Sequence, residues 1–301
     1  MATIDQVVAT EKGDPVADER LLATLRSIRA KRKRVARIYR PQPETGFPEL
    51  FVDVPDSWPH VDLAPLYDVH LGHRKHLDQM FAKHTAWMLR NPYLLTFDGG
   101  DLIENANKFS VGSGVYEQDF TPDNQVVGAL SVAARLWHKM LFKLPGNHEH
   151  RTMKDMGVDI GRWIAVMEEV PYFADFCFCT IRFRGNNFRL AAHHGAGAAT
   201  TAGAQRMAAR KTLPWAKADI IWTGHQHAPL IDPVYQTDYD QKTGRIFERD
   251  GIVVISPSYL GYFETYAARK MMVPGIPGLH LLTLQPDGRI DANVHARGRR
   301  L

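Results

Sequence analysis

Five times in 301 residues a short apolar run ends in side chains able to hold a metal ion. The clusters are Asp68-Val-His70, Gly100-Asp101-Leu-Ile-Glu104, Gly146-Asn147-His148-Glu149, His193-His194-Gly195 and Gly224-His225-Gln-His227. A short apolar run before a polar turn reads as a strand that delivers its last side chains to the lip of a sheet. In an α/β sheet, ligands bind beyond the carboxyl ends of the strands, where groups distant in sequence meet in one crevice. Gly-Asn followed by a single His is ordinary turn language. Five such coincidences point to one shared site.

Between the clusters, strand and helix patterns alternate. Residues 64–67, 93–97 and 141–144 read as strands, and 74–90 as a helix with Leu77, Met80, Phe81, Trp87 and Met88 inward. Residues 123–140 read as a second helix. This βαβαβ order predicts a parallel sheet covered by helices. Strands over 177–183 and 188–192 flank Arg184-Gly-Asn-Asn as a hairpin, helices fall near 159–168 and 203–213, and a strand covers 219–223. The tail holds further strand pairs, one turned at Pro286-Asp-Gly288, and there is no internal repeat. The sum is an α/β chain of two β-sheets with helices outside. Residues 1–59 are expected to be a lead, a basic helix and a Pro-rich linker, and 60–301 the catalytic domain.

At 45% hydrophobic, the chain can bury a large core. No apolar run approaches the roughly 18 residues of a membrane span, and no secretory pattern opens the chain, so a soluble, cytoplasmic protein is expected. Cys177 and Cys179 alternate within one strand pattern, which places both on one face as buried thiols in the wrong geometry for a disulfide.

The net charge is +4, yet Arg26, Arg29, Lys31, Arg32, Lys33, Arg34, Arg37 and Arg40 run without an intervening acid, and Arg297, Arg299 and Arg300 follow near the end. These cations outnumber the whole net charge, so the body is acidic. Asp14-Pro15 caps a basic amphipathic helix expected over about 15–38. Two readings stay open: an arm that contacts nucleic acid, or a helix that packs on the body or on a second subunit.

Mixed imidazole, carboxylate and amide donors suit manganese, iron, zinc or nickel rather than calcium or a thiolate-selected metal. The donors outnumber what one ion of four to six ligands absorbs, which favours two ions that share a carboxylate.

Asp-x-His, Gly-Asp-x-x-Glu, Gly-Asn-His-Glu, His-Gly and Gly-His-x-His in this order resemble the calcineurin-like metallophosphoesterase family, over about residues 64–227. The resemblance implies a four-layer α/β/β/α sandwich and a site of two divalent cations, manganese foremost. One cation would be held by Asp68, His70, Asp101 and His227, the other by Asp101, Asn147, His194 and His225, with Asp101 bridging. His148 would steady the phosphoryl oxygens and protonate the leaving oxygen, and Glu104 would orient it. His193, His150 and Arg151 are candidate substrate contacts. So are Arg206 and Arg210, on a helix after the Gly-rich run 195–203. The loop 105–116, with Phe109 and Tyr116, is a candidate lip of the substrate pocket.

Two departures argue against the phosphoprotein-phosphatase branch: Pro145 stands where it has Arg, and Glu104-Asn105-Ala106 where it has Asp-Arg-Gly. Gly-His-x-His and the Gly-rich run look more like nuclease-type and phage-encoded phosphodiesterases. The expected activity is therefore that of a metal-dependent phosphodiesterase on DNA or RNA. The alternatives are an esterase of nucleotides or other small phosphoesters, with the basic helix serving homo-oligomer assembly, and an inert metal-bearing scaffold.

Overall fold

In the computed structural model, which describes residues 15–40, 46–108, 110, 114–197 and 199–296, two β-sheets face each other. The chain runs α1 (Pro15–Ala30), β1 (Arg37–Tyr39), β2 (Glu49–Asp53), β3 (Val61–Leu63), α2 (Asp78–Arg90), β4 (Leu94–Asp98), α3 (Pro122–Leu136) and β5 (Met140–Lys143). Then follow α4 (Glu149–Met156), α5 (Ile160–Glu168), the hairpin β6 (Phe176–Phe183) and β7 (Asn186–His193), α6 (Ala202–Arg210), α7 (Leu213–Ala216) and β8 (Ile220–Thr223). The long pair β9 (Leu230–Asp240) and β10 (Arg245–Ile255), the turn α8 (Tyr266–Arg269), β11 (Gly278–Leu284) and β12 (Ile290–Ala296) complete it.

One sheet has the order β12-β11-β3-β4-β5, the other β1-β2-β6-β7-β8-β10-β9, and both are mixed. The alternation of apolar residues dictates the layering. Cys177, Cys179, Ile181 and Phe183 point from one face of β6 into the inter-sheet core, together with Phe97, Phe142 and Trp222. Phe81, Met88, Leu130 and Leu136 pack helices on the outer face of the five-stranded sheet. Ala209 and Ala216 do so on the seven-stranded one. The layers are α/β/β/α. The hairpin turns on Arg184 and Gly185, whose φ of 47° and 78° are those of a two-residue type I′ turn.

The amino-terminal part differs from its expected form. The helix stops at Ala30, and Arg37–Tyr39 and Glu49–Asp53, placed by sequence in the helix and the linker region, are strands of the seven-stranded sheet. The main-chain pairing of β2 with β6 supplies what the polar, Pro-rich composition does not advertise. The basic run is absorbed by the body. Arg29 donates to Met167 O (2.9 Å), Arg32 to Arg135 O (3.0 Å), and Arg34 to Met140 O (2.6 Å) and Glu169 O (3.2 Å) while covering the Trp137 ring. The carbonyls of Arg135, Met167 and Glu169 lie at the carboxyl ends of α3 and α5, where cations complement the helix dipole. Met140 begins β5, so the cationic strap sits at the end of the sheet opposite the clusters. Residues 1–14, 41–45 and 297–301, with their expected lead, prolines and three arginines, lie outside the described residues.

Among the described residues, no helix is long and apolar enough to cross a membrane.

Candidate metal centre

Each cluster leaves a strand or its extension at the same end of the two sheets. The backbone is unusual there: Asp68, His70, Asp101, His225 and His227 all adopt φ between 49° and 66°. Left-handed conformations are uncommon for residues with a Cβ, and a set of them at one place marks backbone held by its surroundings for a purpose. Two glycines allow the turns to close. A Cβ on Gly146 would stand 2.0 Å from Asp101 Oδ1, and one on Gly224 2.4 Å from Asp68 Oδ2. The neighbours of these glycines, Asn147 and His225, are thereby brought onto the carboxylates.

The side chains gather in two groups, which a third joins through His70 and Asp101. Potential ligand atoms of Asp68, His70 and His227 lie within 4.8 Å of one another, as do those of Asp101, His194 and His225, and of His70, Asp101 and His148. Asp101 Oδ2 is 3.2 Å from His194 Nε2 and 4.0 Å from His70 Nε2, so this carboxylate stands between the groups. Asn147 Oδ1 is 3.1 Å from His194 Nε2 and 2.7 Å from His225 Nδ1.

Hydrogen bonds aim the rings. His194 Nδ1 faces Gly99 O at 3.0 Å and His70 Nδ1 faces Glu104 Oε2 at 3.0 Å, which turns both Nε2 atoms inward. His225 reverses this, with Nε2 on Gly197 O at 2.9 Å. The backbone N–H of His225 donates to Asp68 Oδ2 (2.8 Å) and that of His148 to Asp101 Oδ1 (2.8 Å).

These donors fit cations. Asp68 Oδ1 is buried and accepts no hydrogen bond, although His227 Nε2 stands 3.2 Å away. His70 Nε2 and His227 Nε2 face each other at 3.2 Å, an approach that a shared proton or a shared cation must mediate. Burial, reinforced by His148, lowers the His70 pKa to about 4, which keeps its lone pair available at neutral pH. Burial opposes charge on His194 too, but the Asp101 carboxylate outweighs it and raises the pKa to about 10. A proton there stands where a cation would serve the same carboxylate. Asp101 itself, although burial opposes its charge, is held well below the usual carboxylate range by His148 and His194.

His148 sits beside the groups. Its Nδ1 is 2.7 Å from Glu104 O and 3.3 Å from Glu104 Oε2, and its Nε2 lies 2.8 Å from Arg151 Nη2 and 3.7 Å from Asp101 Oδ2. Glu104 therefore serves His70 with its carboxylate and His148 foremost with its backbone carbonyl. Arg151 Nη1 donates to that same carbonyl (2.8 Å) and to Glu104 Oε1 (3.1 Å).

The remaining candidates are placed differently. His193 turns from the cluster to Thr212 Oγ1 (3.1 Å) and stacks on Phe176. His150 lies in the first turn of α4, its backbone N–H on Gly146 O at 3.2 Å. Arg206 and Arg210 both close on the buried carboxylate of Asp232, Arg206 Nε at 2.8 Å and Arg210 Nε at 2.6 Å, so their charge is already matched. Tyr116 is 79% exposed. Phe109 and residues 111–113 of the same loop lie outside the described residues. Asp98 points away from the site onto the buried Lys143 ammonium.

Sequence reasoning named Glu149 within its motif but gave it no role. Its buried carboxylate accepts the backbone N–H groups of Gly146 (2.8 Å), Asp101 (2.9 Å), Leu102 (2.9 Å) and Ile103 (3.3 Å). It staples the turn carrying Asn147 to the turn carrying Asp101. Residues 256–277, read only as tail, also reach the site: Tyr259 N–H donates to Asp68 O (3.0 Å), and Gly275 packs against His227 O.

No protein-family model and no curated protein matches this chain. Among solved structures it is similar to a single mutant of Vps29 from Entamoeba histolytica, at 16% identity over 78% of this chain and 99% of that one, with a TM-score of 0.36. Wild-type Vps29 complexed with zinc, from the same organism, is 14% identical over the same shares, with a TM-score of 0.33. A metallophosphoesterase from Sphaerobacter thermophilus is 12% identical over 80% of this chain and 89% of that one, with a TM-score of 0.37. At these scores the superpositions carry no argument of their own. Fold and site rest on the chain's own sheets and side chains.

Proposed function

We propose that the protein is a metal-dependent phosphoric ester hydrolase. The observation that carries this reading is the pair of ligand groups meeting at the Asp101 carboxylate, with His148 Nε2 3.7 Å from Asp101 Oδ2. Asp68, His70, Asp101 and His227 would hold one divalent cation, and Asp101, Asn147, His194 and His225 the other. Manganese is the foremost candidate, with iron, zinc and nickel behind it. When bound, such cations acidify a water and neutralise the charge of a phosphoryl group.

The chain's own groups do the rest. His148 stands where it can meet a leaving oxygen, Glu104 fixes the rings of His70 and His148, and Glu149 keeps the two ligand turns in register. His150 and Arg151 remain candidate contacts for substrate, His193 is a poorer one because it turns to Thr212 and Phe176, and the rim at Tyr116 is a candidate surface for its organic part. Arg206 and Arg210 are poorer candidates because Asp232 already engages them.

For the substrate, the finer reading of a phosphodiesterase on nucleic acid depends on the basic run. That run donates to carbonyls at the opposite end of the sheet from the metal groups. This favours the second reading, a nucleotide or other small phosphoester. Elemental analysis of the purified protein, paired with turnover of a mono-aryl phosphate, a bis-aryl phosphate and labelled DNA and RNA, tests the whole. Bound divalent metal with chelator-sensitive hydrolysis is expected. Metal retained without hydrolysis of any ester would instead support the inert scaffold.

A further inference from the structure

We propose that Arg151 is a specificity-determining residue on the leaving-group side of the site, selecting phosphoryl substrates whose leaving group is itself a phosphate, that is, phosphoric anhydrides over simple aryl or alkyl esters. The inference rests on the hydrolase reading and names the substrate class of that same site. A guanidinium has only donors to offer. The fork of Arg151 is anchored at Nη1, which donates to Glu104 O (2.8 Å) and Glu104 Oε1 (3.1 Å), and this leaves Nη2 at 2.8 Å from His148 Nε2. The side chain keeps 19% of its surface exposed, so an incoming ligand can reach it.

His148 Nε2 is the atom a leaving oxygen must approach, because Nδ1 is committed to Glu104. Whatever lies beyond that oxygen therefore meets the guanidinium. An aryl or alkyl group would strip water from Nη2 and return no acceptor, which is unfavourable for a charged donor. A phosphate beyond the leaving oxygen returns two or three acceptor oxygens to a planar fork, the arrangement that guanidinium binds best. Glu104 contributes to the choice as well: by holding Nη1, it prevents the guanidinium from turning towards solvent when the His148 contact opens. Selection acts through binding of the leaving portion, and the transferred phosphoryl group is common to both kinds of substrate.

Phenyl phosphate and inorganic pyrophosphate share the transferred phosphoryl group and differ in the leaving group, so their kcat/KM ratio reads the effect. In metal-loaded full-length protein, the pyrophosphate-to-phenyl phosphate ratio is expected to fall about 10- to 100-fold in Arg151→Ala, the range for loss of a charge-assisted hydrogen bond. Most of the change should appear in the KM for pyrophosphate, and Arg151→Lys should recover part of it. Melting temperature and metal content, measured on both variants, check that the fold and the centre persist. Should Arg151→Ala be unfolded, the ratio in Arg151→Lys alone decides, and it must still fall. Equal losses on both substrates, or an unchanged ratio, would overturn this inference while leaving the hydrolase reading intact. Wild-type protein inert towards both substrates would overturn this inference, and the hydrolase reading falls with it only if the bis-aryl phosphate, DNA and RNA also go unhydrolysed.

Discussion

The carboxylate of Glu149 accepts the backbone N–H of Asp101 at 2.9 Å, across 48 residues of sequence. Through three further N–H groups it holds the turns that carry Asp101 and Asn147 at a fixed spacing. A single buried carboxylate thereby sets the distance between two ligand-bearing loops. Glu149→Gln replaces one acceptor oxygen with an amide that faces N–H groups. Loss of about 2 kcal/mol of stability is expected from one such mismatch at a charged acceptor. Chemical denaturation should show that loss, and equilibrium dialysis should show weakened metal affinity as well. An unchanged affinity would mean that the ligand turns hold their register without Glu149.

Asp101 and His148 should separate under mutation, because one stands among both ligand groups and the other beside them. His148→Ala is expected to keep its metal and lose about 10²- to 10⁴-fold in turnover, the usual contribution of a positioned acid or base. Asp101→Ala is expected to lose metal as well as activity. Elemental analysis beside a turnover assay distinguishes the two, and full activity in both would refute the assignment of roles.

Glu168 predicts a pH dependence of stability unrelated to the metal centre. Burial raises its pKa from 4.5 to about 8, only partly countered by Lys143. The folded state then binds more protons than the unfolded state between these values, so stability is fully present below about 4.5 and falls as pH rises towards 8. Glu168→Gln should flatten that fall. Melting temperatures taken from pH 5 to pH 8 on both proteins give the comparison, and parallel curves would contradict it.

The basic strap makes a prediction about location. Arg34 donates to two carbonyls and lies 4.5 Å from the Trp137 ring centroid. Arg34→Ala should destabilise the fold by roughly 1.5 to 3 kcal/mol, the range for hydrogen bonds from charged groups. Turnover of a small phosphoester at a temperature where the variant is folded should stay close to wild type. A selective loss on DNA or RNA would instead restore the nucleic-acid reading of this segment.

Much of the site was legible because its chemistry is written at strand ends. Asp68, Asp101, Asn147, His194 and His225 each follow an apolar run, and the βαβαβ order puts such ends on one edge. The strands at Arg37–Tyr39 and Glu49–Asp53 were hidden by the charge and proline around them, since their place is fixed by main-chain pairing, the second with β6 and the first with the second. The partners of Arg206 and Arg210 were hidden for another reason: Asp232 lies on β9, which meets α6 only through the packing of helix on sheet.

By itself, the sequence determined most of the order of strands and helices beyond the amino-terminal segment, the residue types at the strand ends, and hence the class of chemistry. These depend on local periodicity and side-chain character, which the chain carries wherever it is. Tertiary structure decided that Glu104 serves His70 and His148 together, that Arg151 stands at His148 Nε2, that Glu149 joins two ligand turns, and that the cationic run serves the far end of the sheet. Hydrogen bonds act over about 3 Å, and only the closed fold brings groups tens of residues apart within that reach.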